Sequence, residues 1–579
     1  MKSALRCSSA FRGGNASLHA LTQRSVRLFS SSSSLPDSFD GEADYVVLGA
    51  GSAGCVLANR LSAGSDTVKV LEAGPSDVGK WDSWKISMPA ALTFNLNDDK
   101  YNWNFDTIPQ KHMNGRVLDC PRGRVLGGSS SLNAMVYVRG HRLDFDRWAF
   151  EEGAGEEWSY ENCLPYFKRA QQHSEGGNEF RGGDGPLQVK RVPDGKYQEL
   201  FDVFVNAGVE AGYPHSDNLN DPESTGFGYF DMTIDSQGRR CNASRAYLHP
   251  AMQRSNLDVE CNAVASRVLF DKGSTRAIGV EYRNKRGETQ TVRAKKEVIL
   301  SLGAIGSPQL LQLSGIGDAE HLGSFGIEQK LDLPVGENLQ DHTEVYLQYL
   351  CNQPVSLYPL GTWRRPHLKV LAGAEWFVRG TGPCASNQFE TGAFIKSDDS
   401  IPHPDIQYHF IPGAVIGQSE FVPEHAFQVH VGTLRPTSRG TVKITSTDVA
   451  DGPEIDPNYY ATEEDNATMV SALRHAKRIV EQPAFDDYRG NMLNPGPADV
   501  NWEDDASLVD WIHKMSHSAY HVSCTCAIGE VVDAHAKVRG AENLRVVDAS
   551  IMPSMTSGNL NAPTIMLAEK CADFILQGE

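Results

Sequence analysis

The chain has 579 residues, too many for one ordinary hydrophobic core, so two or more packed units are expected. The apolar fraction of 40% and the charged fraction of 22% are those of a globular protein. A net charge of −19 argues against a nucleic-acid-binding role, which needs concentrated positive charge. No window approaches the roughly 20 apolar residues that cross a bilayer, which leaves peripheral membrane association possible.

Residues 1–36 differ in composition from the rest of the chain. They hold five basic residues, no acidic residue before Asp37, and a run of five serines at 30–34. This composition is typical of a mitochondrial targeting presequence, although a tail without an address fits as well. We therefore expect a mitochondrial protein, in the matrix or at the inner membrane, whose eleven cysteines stay mostly reduced.

The next stretch has the pattern of a dinucleotide-binding unit. Residues 45–48 form a short apolar run suited to a buried parallel strand, and Gly49, Gly51 and Gly54 follow as G-x-G-x-x-G. A helical segment leads to a second strand that ends near Glu72, where an acid can accept hydrogen bonds from a ribose diol. Such glycines permit a tight turn, close approach of the backbone to a pyrophosphate, and helix–strand packing.

Two later segments carry a family resemblance. Residues 123–140 read GRVLGGSSSLNAMVYVRG, and residues 303–317 read GAIGSPQLLQLSGIG directly after the strand-like EVILSL. Together with the glycine fingerprint, they resemble the signature sequences of the glucose–methanol–choline (GMC) oxidoreductase family. The resemblance covers residues 44–576 and implies an FAD enzyme that oxidises an alcohol to an aldehyde.

The resemblance also implies which residues contact FAD. Those around the ADP half are Gly49, Gly51, Ser52, Ala53, Gly54, Glu72 and Ala73, with Ala265 at the adenine. Those implied along or near the isoalloxazine are Arg124, Gly127, Gly128, Ser129, Asn133, Ala134, Met135 and Val136. Asp548 and Ala549 match the segment near the ribityl chain and pyrophosphate. Some choline-oxidising relatives hold the flavin covalently through a histidine where this chain has Leu132, so non-covalent FAD is expected.

The segment SAYHVSCTC, residues 518–526, raises the question of what His521 does. Oxidation of an alcohol needs a base for the hydroxyl proton, and an imidazole suits that role. A zinc ligand, a partner for a nucleophilic cysteine and a purely structural histidine are the alternatives. No second pair of ligands stands at conventional spacing, and nothing resembles an acyl-transfer site. The resemblance implies that His521 takes the proton, that Asn559 orients the substrate oxygen, and that hydride goes to flavin N5.

Within the family the chain is similar to the choline-oxidising members. Choline carries a permanent cation, which is recognised by aromatic faces and a carboxylate. The resemblance implies Glu390 as that carboxylate, with a solvated surface glutamate as the alternative. The candidate aromatic walls are Trp84, Phe94, Trp103, Tyr358 and Trp363. The expected reaction is choline to betaine aldehyde, with electrons passing to a quinone-type acceptor.

Other interpretations stay open. They are a sugar or an aryl alcohol as the substrate, oxygen as the acceptor, a fatty-acid photodecarboxylase, and a non-catalytic flavoprotein. The fold expected is α/β, a Rossmann-type FAD-binding domain interleaved with an antiparallel-sheet substrate-binding domain. The expected division is 43–345, mostly FAD-binding; 346–509, mainly substrate-binding; and 510–576, returning to the FAD domain with the catalytic residues.

Overall fold

The computed structural model describes residue 36 and residues 38–96, 98–191, 198–362, 364–416 and 420–579. The predicted presequence, apart from Pro36, and the predicted wall residue Trp363 lie outside the described residues. Among the described residues, no helix is both long enough and apolar enough to cross a membrane.

The described residues form the following β-strands, in chain order. They are β1 (Gly41–Leu48), β2 (Val68–Glu72), β3 (Phe105–Asp106), β4 (Asp119–Cys120), β5 (Val136–Tyr137), β6 (Gln171–His173), β7 (Leu187–Arg191), β8 (Gly226–Tyr229), β9 (Asp231–Met232), β10 (Leu257–Cys261), β11 (Val264–Phe270), β12 (Ala277–Arg283), β13 (Thr289–Leu300), β14 (Thr343–Cys351), β15 (Thr391–Ile395), β16 (Ile406–Ile411), β17 (Val415–Ile416), β18 (Glu420–Phe421), β19 (Ala426–Thr433), β20 (Thr441–Lys443), β21 (Glu454–Asp456), β22 (Arg489–Asn494), β23 (His517–Ser518) and β24 (Leu544–Val546).

The described residues also form the following α-helices, in chain order. They are α1 (Ser52–Leu61), α2 (Trp84–Ser87), α3 (Leu92–Leu96), α4 (Arg142–Phe150), α5 (Tyr160–Ala170), α6 (Gln198–Glu210), α7 (His249–Ala251), α8 (Gly303–Leu313), α9 (Ala319–Ser324), α10 (Tyr358–Gly361), α11 (Pro366–Arg379), α12 (Glu463–Val480), α13 (Asp505–Met515) and α14 (Asn561–Gln577).

The first large sheet is built around the glycine fingerprint. Its strand order is β10–β2–β1–β13–β12–β11, and β24 pairs with the end of β13. The strands β10, β2, β1, β13 and β24 run parallel, and β12 and β11 continue the sheet antiparallel. Residues 45–48 of β1 are buried, as a parallel strand with both faces covered requires. The predicted succession of strand, glycine turn, helix and second strand is therefore present, with helix α1 starting directly after the glycine turn.

The second large sheet is antiparallel throughout. Its order is β22–β14–β19–β16–β15–β8, and β23 pairs with β14. Helix α12 begins with a Thr462 hydroxyl that accepts the Asp465 amide, and the helix buries an apolar stripe in the core of this sheet. Strands β8 and β23 come from outside residues 346–509, so the sheet is discontinuous in sequence.

Candidate active site

One cavity of about 1440 Å³ is lined by residues of both large sheets. Its wall runs from the glycine turn after β1 to His521, and it includes the start of β14 and parts of α11. Ordinary small-molecule pockets hold about 300–1,000 Å³. The cavity is therefore large enough to take a dinucleotide together with a small substrate.

The nucleotide end of the cavity is shaped by backbone. Gly49 has φ of +90°, and a Cβ there would lie 2.5 Å from the carbonyl oxygen of Ser301. Gly51 caps α1, whose first turn holds no acidic residue, so the amide groups of the helix N-terminus face the cavity without a competing negative charge. This end suits a pyrophosphate.

The acid predicted to contact a ribose lies on the same wall. The oxygens of Glu72 accept the amide protons of Ala50 at 2.8 Å and Gly74 at 2.7 Å. Burial raises the pKa of Glu72 to about 7, although these two hydrogen bonds oppose the rise. Each carboxylate oxygen has a second lone pair, so the side chain can still accept hydrogen bonds from a diol.

The two signature segments pack beside the cavity through their backbones. The amide of Gly127 donates to the Ala50 carbonyl at 2.7 Å, and a Cβ on Gly128 would stand 2.6 Å from the Gly51 Cα. In the second segment, Gly303 and Ser307 donate to one oxygen of Asp548, at 2.9 and 2.6 Å. The glycines thus let these loops lie close to the glycine turn and to the segment that carries Asp548.

Most of the predicted cofactor contacts line this cavity. Those on its wall are Gly49, Gly51, Ser52, Ala53, Glu72, Ala73, Gly128, Ser129, Asn133, Ala134, Met135, Val136, Ala265, Asp548 and Ala549. Three others are not on the wall: Gly54, Gly127 and Arg124. Gly54 lies behind the turn, where a Cβ would meet the Gly49 carbonyl oxygen at 1.9 Å, so it serves helix–strand packing. The guanidinium of Arg124 lies 5.1 Å from the centre of the Trp103 ring.

His521 lies at the other end of the cavity wall, beside the predicted partner Asn559. Its turn is fixed by Asp341, which accepts the His521 amide at 2.7 Å and the hydroxyls of Tyr459 and Ser518 at 2.5 Å each. The carboxylate therefore holds the backbone that carries the imidazole and leaves the ring to other partners.

The ring of His521 is held by a second histidine. The Nε2 of His342 is 3.0 Å from the Leu434 carbonyl, which only accepts, so that nitrogen carries a proton. Burial lowers the pKa of His342 to about 4, so its Nδ1 holds a lone pair. This Nδ1 is 3.0 Å from the Nδ1 of His521, which must then be the donor. The remaining nitrogen of His521, Nε2, keeps its lone pair.

That lone pair faces Asn559. The Oδ1 of Asn559 accepts from Gln407 Nε2 at 3.3 Å, and its Nδ2 lies 3.2 Å from the Nε2 of His521. Burial, with smaller contributions from His342 and His409, holds the pKa of His521 well below its ordinary value. The pair offers the hydroxyl oxygen of a substrate one proton acceptor, the Nε2 of His521, and one hydrogen-bond donor, the Nδ2 of Asn559.

The neighbouring cysteines do not share this geometry. Cys524 and Cys526 are fully buried, and burial raises the pKa of the Cys524 thiol to about 12. Neither lines the cavity. Among the described residues, no group of three or more histidine, cysteine, aspartate or glutamate side chains is arranged to hold a metal ion.

A carboxylate that was not predicted lies on the same part of the wall. Glu344, two residues after His342, accepts the Tyr346 hydroxyl at 3.0 Å, and the Nδ1 of His430 lies 3.2 Å from the same oxygen. Both neighbours direct a hydrogen bond at this oxygen, and such hydrogen bonds favour the ionised form of the side chain. Glu344 is therefore a carboxylate at neutral pH.

Hydrogen bonds also define the charge of His430. The Oε1 of Gln428 accepts from Gln348 Nε2 at 2.8 Å and the Val415 amide at 3.0 Å. The Nε2 of Gln428 is therefore the amide atom that lies 2.7 Å from the Nε2 of His430, and it donates a hydrogen bond to that ring nitrogen. His430 is then a neutral ring with its proton on Nδ1, so Glu344 keeps a full negative charge beside the cavity.

The residue predicted to hold the substrate cation does not line the cavity. Glu390 is buried, and its Oε1 accepts the Ser386 hydroxyl at 2.5 Å. Its burial also excludes the alternative of a solvated surface glutamate. Of the predicted aromatic walls, Trp84, Phe94 and Trp103 line the cavity and Tyr358 does not.

The rings around Glu344 are different ones. Tyr346 and His430 have centroids 4.2 Å apart, and Phe389 lies 5.5 Å from His430 and 6.0 Å from His409. Sequence reasoning did not select Asp341, His342 or Glu344 as site residues. The available signal was the segment LQDHTE at 339–344, which places two acids and a histidine within four residues.

Comparison with known proteins identifies the family. Models described as GMC oxidoreductase match residues 43–344 and 436–568. The mitochondrial choline dehydrogenase of Homo sapiens is 50% identical over 548 residues, which cover 92% of this chain and 90% of that protein. The oxygen-dependent choline dehydrogenase of Serratia proteamaculans is 47% identical over 545 residues, covering 93% and 96%.

Solved structures agree with these matches. Pyridoxine 4-oxidase from Mesorbium loti superposes with a TM-score of 0.82 at 29% identity, covering 92% of this chain and 99% of that one. A formate oxidase from Aspergillus oryzae, studied for modification of its FAD, gives 0.86 at 25% identity, covering 94% and 99%. The predictions of fold and of FAD as the cofactor are confirmed, and the chain belongs to the GMC oxidoreductase family.

Proposed function

We propose that the protein oxidises choline to betaine aldehyde, the first oxidation towards glycine betaine. The observation that carries the proposal is the meeting of three groups on one cavity wall: the Nε2 of His521, the Nδ2 of Asn559 and the carboxylate of Glu344. The first two suit an alcohol oxygen, and the third suits a cation. The identities of 47–50% to choline dehydrogenases over most of the chain support this substrate.

The chemistry assigned to the protein is proton removal and positioning. The substrate hydroxyl donates to the Nε2 lone pair of His521, which takes the proton as the alkoxide forms, and Asn559 Nδ2 donates to that oxygen. FAD, when bound, supplies the two-electron acceptor for the α-hydride. The N–H group at His521 Nδ1 stays hydrogen-bonded to the Nδ1 lone pair of His342. The His521 ring therefore keeps its orientation while its charge changes.

Recognition of the quaternary ammonium is assigned to Glu344 and its neighbouring rings. A trimethylammonium group has no N–H to donate, so its partners are charge and aromatic faces. Glu344 is largely shielded from water and accepts two hydrogen bonds, and the substrate cation would supply the opposite charge that it lacks. Because Gln428 keeps His430 neutral, that ring does not cancel the charge that the substrate needs.

The electron acceptor and the location complete the proposal. We assign electron transfer to a quinone-type acceptor in mitochondria, supported by the basic, serine-rich composition of residues 1–36 and by the mitochondrial relatives from Homo sapiens and Mus musculus. Reoxidation of the reduced enzyme by a short-chain quinone should outpace reoxidation by oxygen. Faster reoxidation by oxygen would instead match the bacterial relatives.

Attachment of FAD is assigned as non-covalent. Leu132 lines the cavity and offers no nucleophilic atom. Acid precipitation of the holoenzyme should release the flavin into the supernatant. Flavin that stays in the protein pellet would refute this part of the proposal.

The substrate is tested by anaerobic mixing of the holoenzyme with choline, glucose and benzyl alcohol in turn, while the flavin absorbance is followed. Choline should bleach the flavin at concentrations at which the other two leave it oxidised. Bleaching by glucose or benzyl alcohol but not by choline would overturn the assignment. An oxidised spectrum with all three would indicate a different donor or a non-catalytic flavoprotein.

A further inference from the structure

Helix α11 exposes an apolar face to the outside of the molecule. Val370, Leu371, Phe377 and Val378 are 68%, 62%, 61% and 81% exposed. At 100° per residue these four side chains fall within about one third of the helix circumference. Residues on the opposite side, including Trp376, are buried. The helix therefore carries a second apolar face, which turns outward.

The exposed face continues onto a neighbouring segment and reaches the cavity. The ring of Trp84 packs edge-on against Phe377 at 6.3 Å and against Phe94 at 5.9 Å, and Phe94 is itself 56% exposed. All three aromatic residues also line the cavity. The apolar surface therefore continues into the wall of the active-site cavity.

Basic residues flank this surface, in contrast to the chain as a whole. Arg364 and Arg365 are exposed directly before α11, and Arg379 is exposed at its last residue. The helix contains one acidic residue, Glu375. The full chain carries a net charge of −19, so this is a locally positive region on an acidic protein.

We propose that the exposed face of α11, together with Phe94, docks onto the surface of a lipid bilayer that contains anionic headgroups. Aromatic and aliphatic side chains would enter the headgroup boundary, and the three arginines would meet lipid phosphates. A contiguous exposed apolar surface of this kind marks an interaction site in a folded protein.

Charge distinguishes this partner from two others. In a two-fold dimer of this chain the same patch would face itself, which would set the arginines against their own copies. Residues 1–36 carry five basic residues and no acid, so they too would be repelled. An anionic bilayer offers the complementary charge as well as an apolar layer.

The link to catalysis rests on the proposed function. Docked in this way, the part of the cavity wall formed by Phe94 and Phe377 would lie against the bilayer, from which a lipid-soluble quinone can approach. Lys369 lies on the cavity side of the same helix and donates to the Gly361 carbonyl at 3.0 Å, which ties α11 to the preceding segment.

Vesicle sedimentation of the full-length holoenzyme tests the docking surface. The variant is Leu371→Asp/Val378→Asp, neither residue of which lines the cavity. The matched control is Val209→Asp/Leu576→Asp, which changes residues 44% and 50% exposed on α6 and α14. Each protein is mixed with vesicles of phosphatidylcholine alone or of phosphatidylcholine with phosphatidylglycerol, and choline oxidation with a water-soluble dye is measured in the same samples.

The wild type and the control should sediment with the anionic vesicles and less with the neutral ones, and added salt should weaken the binding. The α11 variant should lose at least about tenfold in partitioning while its dye-linked activity and flavin content stay unchanged.

A wild type that stays in the supernatant, or an α11 variant that sediments equally well, would overturn the inference. So would equal binding to both vesicles that free choline abolishes, which would mean headgroup capture in the active site. If the wild type were a dimer and the α11 variant a monomer, the exposed face would instead be a contact with a second copy of the chain. Loss of dye-linked activity in all samples would count against the proposed function and leave the docking result readable.

Discussion

The two ends of the cavity are built by different means. At the nucleotide end, one unit that is continuous in sequence forms the centre of the wall: strand β1, the glycine turn and helix α1 follow one another within residues 41–61, and more distant segments close against it through glycines. At the substrate end, the working groups come from segments far apart, since His342 and His521 are separated by 179 residues. The first end depends on the space that glycines leave, and the second on side chains that orient one another.

The two ends of the cavity are therefore sensitive to different kinds of substitution. A change at the nucleotide end acts through steric contact, because backbone atoms already touch there. A change at the substrate end alters which nitrogen carries a proton or where a charge lies, and the fold around it can remain. The predictions below address the substrate end, from the largest expected effect to the smallest.

The largest effect is expected from removal of the base. His521→Ala should slow flavin reduction by choline about 10²- to 10⁴-fold, because it removes the group assigned to take the hydroxyl proton. Anaerobic stopped-flow mixing measures this rate. The matched control is Cys524→Ala three residues later, which should reduce flavin near the wild-type rate. A stronger loss in the cysteine variant would revive a role for the thiol.

The second-largest effect is expected from Glu344, one of the two acids considered as the binding partner of the substrate cation. Glu344→Gln should raise the choline KM about 10- to 100-fold, the effect of losing about 1.4–2.8 kcal/mol of charge interaction. Dimethylbutanol, the neutral isostere in which a carbon replaces the choline nitrogen, should show little change in its KM. Glu390→Gln is the matched control and should leave the ratio of the two KM values near that of the wild type. The reverse outcome would return the cation site to Glu390, as the family resemblance implied.

A smaller effect is expected from the histidine behind the base. His342→Ala removes the acceptor of the His521 Nδ1 proton, so the tautomer with its lone pair on Nε2 is no longer selected. The rate of flavin reduction should fall about tenfold, and the choline dissociation constant should stay within about twofold. His342→Asn, which keeps an acceptor, should recover part of the rate. Equal losses in rate and affinity would indicate a general distortion of the site.

The smallest effect concerns pH. The pKa of His521 is lowered well below 6.5, so its ring is already the neutral base at pH 6.5. A lowered pKa extends the range of the base form towards acid. The value of kcat/KM for choline should therefore hold as the pH falls to 6.5 and decline only below it. An acidic limb with its midpoint at or above 6.5 would contradict this electrostatic assignment.

The sequence was most informative where local spacing decides structure. The strand, the glycines, helix α1 and Glu72 could all be placed because they follow one another along the chain. His521 and Asn559 were found through family resemblance, although no spacing rule brings together residues 38 positions apart. The antiparallel second sheet was expected, but the contribution of β8 and β23 from distant segments was not.

Residues that act through partners were harder to predict. The role of Asp341 depends on accepting the His521 amide, and that of His342 depends on the Leu434 carbonyl. Neither relation leaves a local pattern in the sequence. The role proposed for Glu344 depends on its position on β14, which places it on the cavity wall, and on a neutral His430 on the adjacent strand β19. Such pairings become visible only when strand register is known.

The most direct test is a crystal structure of the holoenzyme with a non-oxidisable choline analogue bound. We expect the quaternary ammonium against the Glu344 carboxylate, with Tyr346 and Phe389 beside it. We also expect the polar end of the analogue between the Nε2 of His521 and the Nδ2 of Asn559. A cation held at Glu390 instead, or a His521 whose Nε2 points away from the ligand, would contradict the proposed mechanism.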